Sequence, residues 1–136
     1  MSYRWLEHTS ELELRVHAPS EEAVFQQALA ALGELIALDE PSASGAHAPL
    51  AHTLAVTAPD RAALLAAFLE ELVYLIETED LVPERADTVQ LAEGKLVTTV
   101  HGHRGRPRHL VKGVTYNELS FAREGDCFVA TVVLDV

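Results

Sequence analysis

The chain predicts an α+β domain, a two-layer sandwich in which a mixed, mostly antiparallel sheet packs on two long amphipathic helices. Three observations predict it. Glu11–His17 alternates strictly, with Leu12, Leu14 and Val16 on one face and Glu11, Glu13, Arg15 and His17 on the other, the period of a half-buried strand. Two later stretches carry apolar residues at helical spacing, each behind a capping residue. After Glu79 the apolar runs are short and divided by turn residues, the pattern of strands alone. With 136 residues, 49% of them apolar, residues 1–136 form one domain able to bury its own core.

In chain order, Tyr3–Glu7 is a short opening strand and His8-Thr9-Ser10 a polar break before the Glu11–His17 strand, which Pro19 ends. Ser20 is an N-cap, and Glu21 and Glu22 suit the positive end of a helix. Ala23, Phe25, Leu29, Leu32, Leu35 and Ile36 carry that helix from Ser20 to about Leu38. Glu40–Pro49 is rich in Pro, Ser, Gly and Ala and reads as a loop. Leu50–Thr57 alternates as a strand. Pro59-Asp60 opens a second helix that runs to about Glu77 on a stripe from Leu64 to Ile76. Glu84–Ala92 and Lys95–His101 form a hairpin around Glu93-Gly94. His101–His109 is a basic connection. Leu110–Ala122 and Cys127–Val136 are strands joined at Glu124-Gly125-Asp126.

The balance of 21 acidic against 10 basic residues gives a net charge of −11. Such a surface repels a phosphate backbone, so direct tight binding of nucleic acid is disfavoured and a cationic protein or a metal ion is the expected partner. The single Cys127 has no internal disulfide partner and reads as a buried structural thiol. There is no signal-peptide pattern and no apolar run near the ~20 residues of a membrane span, so a cytoplasmic location without membrane contact is expected.

Three constellations carry candidate chemistry. Glu7-His8-Thr9-Ser10-Glu11 gathers oxygen and nitrogen donors at a strand start, where Thr9 and Ser10 also suit a turn. Leu134-Asp135-Val136 sets a carboxylate at the end of an apolar strand. That carboxylate is either solvated or partnered by Lys112, an arginine or a bound cation. Hard cations favour such oxygen ligands. His101–His109 holds three arginines and three histidines, in a solvated loop or against a partner, without the regular spacing of a transition-metal site. Lys112, between Val111 and Gly113, is either an edge-strand lysine or a placed cation. No Gly-rich phosphate loop and no nucleophile elbow is present.

Together, His8-Thr9-Ser10-Glu11, Val111-Lys112-Gly113-Val114-Thr115-Tyr116 and the ending Val133-Leu134-Asp135-Val136 resemble the archease family. The resemblance covers nearly the whole chain. It implies an accessory protein that activates an RtcB-type RNA ligase in tRNA splicing or RNA repair, by promoting GTP-dependent guanylylation of the ligase and its multiple turnover. It implies no ligase activity of the chain's own. It also implies a metal site at Glu11, Asp135 and the Val136 carbonyl, with Lys112 as a functional lysine and Asp39 as a further acid. The divalent ion expected is calcium first, with magnesium or manganese as alternatives. The family usually has Asp where this chain has Glu11, so the reach of that ligand differs by about one methylene. The other readings are a small metal-dependent enzyme and a chaperone-like binding module.

Overall fold

The computed structural model describes residues 1–8, 10–37, 49–106 and 111–136, with only the backbone of His8. The first strand, β1 (Ser2–His8), pairs antiparallel with β2 (Glu11–Ala18). His8 stands opposite Glu11, and Ser10, just before β2, has a left-handed φ of 60°. Helix α1 (Glu21–Ile36) starts as the sequence predicts: the Ser20 hydroxyl accepts the Ala23 amide at 3.1 Å. Helix α2 (Arg61–Glu79) starts in the same way at Asp60, whose carboxylate accepts the Ala63 amide at 2.8 Å. Arg61 of α2 also bonds Glu21 of α1, tying the two helix starts together.

Strand β3 (Pro49–Thr57) lies between the helices in sequence, and β4 (Leu81–Ala86), β5 (Gln90–Ala92), β6 (Lys95–Arg104), β7 (Gly113–Glu124) and β8 (Cys127–Asp135) follow α2. The predicted strand over 84–92 is therefore two strands, β4 and β5, with β4 beginning at Leu81. Strand β6 runs three residues past its expected end. Both predicted turns hold: Glu93-Gly94 links β5 to β6 and Gly125-Asp126 links β7 to β8, with each glycine at a positive φ. The loop expected over 40–49 lies outside the described residues except for Pro49, which is in β3.

The single mixed sheet is corrected to two sheets of four strands, with every pairing antiparallel. One has the order β1-β2-β8-β7. The other has the order β3-β6-β4, with β5 also on β6. Alternation sets which face of a strand is buried but leaves its neighbour open, and β3 pairs with β6 rather than with β2. Helix α1 packs on β2 of one sheet and β4 of the other, and α2 on β7, β3 and β4. Contact with both sheets buries more of α1 than one narrow stripe: Val24, Ala28, Ala31 and Gly33 are enclosed as well as Phe25, Leu29 and Leu32. Phe25 and Phe68 meet edge to face in the core with centroids 5.8 Å apart.

Candidate metal and docking site

Residues of the first and last strands meet on one row of the first sheet. Glu11 of β2 is directly opposite Asp135 of β8, and Asp135 is directly opposite Gly113 of β7. The Val136 amide donates to the Ser10 carbonyl at 3.1 Å. That bond flanks the Glu11–Asp135 pair, which makes it a non-hydrogen-bonded pair, the kind whose Cα atoms approach to about 4.5 Å with side chains close. Leu14 and Leu134 lie in the core, so Glu11 and Asp135, each an odd number of residues from them along its strand, share the opposite face. Both are half-buried. The Lys112 amide donates to the Asp135 carbonyl at 2.7 Å, fixing the entry of β7 beside the same carboxylate. Two sequence-predicted acids, the Val136 backbone and the backbone of Lys112 are thus brought to one place.

The Lys112 side chain goes elsewhere. It is exposed, makes no ion pair with Asp135, and lines a groove against Glu70, Tyr74 and Glu77 of α2. Asp39, Thr9 and the side chain of His8 lie outside the described residues. Among the described residues, no three His, Cys, Asp or Glu side chains stand together as a metal cluster. Strand register sets two carboxylate-bearing residues opposite each other, with Val136 next along the chain. An all-oxygen set fits a hard cation that keeps water on its remaining positions, and suits a transition metal less well.

Glu13 escaped the sequence reading. It lies two residues from Glu11 on the same face, opposite Val133, yet is only 3% exposed. Arg15 Nε donates to its carboxylate at 2.6 Å. The strict alternation of this strand already placed Glu13 beside Glu11; its burial was the part that periodicity cannot show.

The basic segment is only partly described. His101 Nε2 contacts Asp87 Oδ2 at 2.6 Å, and His103 contacts Glu84, so each ring is taken by a carboxylate; His109 lies outside the described residues. The hydrogen bond from His101, followed by the charges of His101 and Arg85, holds the Asp87 carboxyl below its usual value. Cys127 is half-exposed at the β7–β8 turn rather than buried, because it pairs with Glu124 at the strand's open end. No helix among the described residues is long and apolar enough to cross a membrane.

Residues 3–136 match the Archease protein family (MTH1598/TM1083). Among related sequences, Protein archease of Methanosarcina barkeri is 29% identical over 143 residues, covering 98% of this chain and 95% of that protein. Protein archease of Pyrobaculum calidifontis is 25% identical over 144 residues, covering 99% and 95%. The solution structure of Methanobacterium thermoautotrophicum protein 1598 is similar with a TM-score of 0.74 at 22% identity, covering 98% of each chain. The crystal structure of a Thermotoga maritima protein, described as an archease and possible chaperone, is similar with a TM-score of 0.70 at 18% identity, covering 96% of this chain and 94% of that one. At these identities the two structures speak for the fold. The match of residues 3–136 to the family carries further: this chain belongs to the Archease protein family.

Proposed function

We propose that this protein is an accessory factor that activates an RtcB-type RNA ligase, promoting its GTP-dependent guanylylation and multiple turnover in tRNA splicing or RNA repair, and that it joins no RNA itself. The observation that carries the reading is the Glu11–Asp135 cross-strand pair, set in a family member beside the backbone of Lys112. Glu11, Asp135 and the Val136 carbonyl would hold a divalent cation, calcium first by its preference for oxygen donors, with magnesium or manganese as alternatives. When bound, the ion supplies positive charge where two carboxylates would otherwise repel each other and anionic groups of a partner. The chain's own residues do the rest. Glu11 and Asp135 are held by strand register, and Lys112 adds a mobile cation on an exposed flank, suited to phosphate oxygens as a point charge. The net charge of −11 favours a basic protein surface over naked RNA.

The test is guanylylation and RNA joining by the cognate ligase at substrate excess, with and without this protein. Wild type is expected to raise turnover, Asp135→Ala to abolish the gain, and Lys112→Ala to reduce it. An active ligase that ignores the wild-type protein would sink the reading. Aggregation of unrelated clients suppressed equally by wild type and Asp135→Ala would point instead to a chaperone-like module.

A further inference from the structure

One surface of the molecule runs against its own electrostatics. Helix α2 carries Glu70, Glu71, Glu77 and Glu79 in its second half, with no basic residue in its last turn. A helix C-terminus bears partial negative charge and is stabilised by cations, so acids there are unfavourable. Glu70, Tyr74 and Glu77 are spaced by four and three residues, which places them on one side of the helix, and all three are exposed. They line an open groove of about 300 Å³, with Val73 beneath and Lys112, Gly113 and Val114 on the other wall. A Cβ built on Gly113 meets nothing within 4 Å, so that wall is open. Tyr74 and, on β7, Tyr116 are each 58% exposed, and with Met1 they are the large apolar side chains left exposed among the described residues. Within that described set, Glu70, Glu77, Lys112 and the two tyrosine side chains make no ion pair, ring contact or side-chain hydrogen bond.

We propose that this groove is an interaction surface for a cationic segment of a partner protein, with an arginine laid on the Tyr74 ring between Glu70 and Glu77. A guanidinium is attracted to an aromatic face, and its forked donors match carboxylates. It also supplies the cation that the end of α2 lacks. Lys112 repels positive charge from the far wall, so the arginine seats on the helix side. Identifying the bearer of the segment as the RNA ligase rests on the function proposed above.

The experiment measures the dissociation constant for the cognate ligase at physiological salt. Glu70→Gln/Glu77→Gln and Tyr74→Leu are compared with Glu22→Gln/Glu124→Gln, which removes the same charge from exposed positions elsewhere. All are surface changes, and circular dichroism verifies their folding. The groove variants are expected to bind about ten-fold more weakly, as for loss of a charged anchor, and the control within about two-fold of wild type. Groove variants that match the control while wild type still stimulates the ligase would overturn the groove and leave the accessory role standing. If wild type neither binds nor stimulates, the accessory role fails, and hexa-arginine followed by NMR decides the groove. Amide shifts led by Tyr74 and Val114 support it; shifts spread evenly over the acidic surface overturn it. A wild-type dimer in light scattering that the groove variants dissociate would assign the surface to a second copy and likewise overturn the proposal.

Discussion

Glu13 is the one charged side chain buried among the described residues, and Arg15 is one of the groups bonded to it. Removing one partner of a buried charge is costly, because the charge stays desolvated with one interaction fewer. Arg15 is 44% exposed, which screens the pair and discounts the cost. Arg15→Ala is therefore expected to lower stability by about 1–2 kcal/mol, read as a lower urea midpoint at constant slope. An unchanged midpoint would mean that Arg15 is a spectator. Asp87 makes a different prediction at the same scale. Its carboxyl titrates below the ordinary value in the folded protein, so its contribution is present above the unfolded value and is lost as pH falls through the folded one. Asp87→Asn should lower the melting temperature slightly at neutral pH and converge with wild type at low pH, flattening the acid side of the profile. A parallel shift at every pH would reject this account.

At the scale of elements, α1 and β6 both press closely on β4. A Cβ added at Gly33 would lie 2.2 Å from the Pro83 carbonyl oxygen, and one at Gly102 of β6 would lie 2.1 Å from that of Val82. Both clashes are with backbone, which cannot rotate away. Gly33→Ala should then cost about 1–3 kcal/mol despite improving helix propensity, measured by chemical unfolding; a stabilised variant would show the joint to be looser than described. These elements were largely legible. Ser20 and Asp60 announced both helix starts, and Gly94 and Gly125 announced both hairpins. What stayed hidden was pairing. Period-two alternation in Leu50–Thr57 says that a strand is half buried, and nothing local says that it belongs on β6, some forty residues later. The same limit left the exposed face formed by Glu70, Tyr74 and Glu77 unread, although its spacing was in view.

For the molecule as a whole, Glu11 and Asp135 were legible as acids at strand ends and, through the family resemblance, as a pair. Their adjacency depends on a contact between residues more than a hundred positions apart, which no local pattern supplies. A cation held there would join the two ends of the chain and stabilise the folded state by mass action. Calcium at about a hundred times its dissociation constant should add about 2.7 kcal/mol, seen as a melting temperature several degrees higher. Asp135→Ala should lose that shift, and a chelator should reverse it. A wild-type protein indifferent to calcium, magnesium and manganese would remove the metal from the scheme while leaving the register intact.

The order of strands has a consequence for how the protein is made. The sheet β3-β6-β4 with β5 is drawn from residues 49–104, a continuous stretch that leaves the ribosome before β7 and β8 are made. The other sheet takes β1 and β2 from the start and β7 and β8 from the end. During synthesis β2 waits with one edge unpaired until β8 emerges, and only then does Asp135 arrive opposite Glu11. A nascent chain that has not yet reached β8 lacks the paired carboxylates altogether.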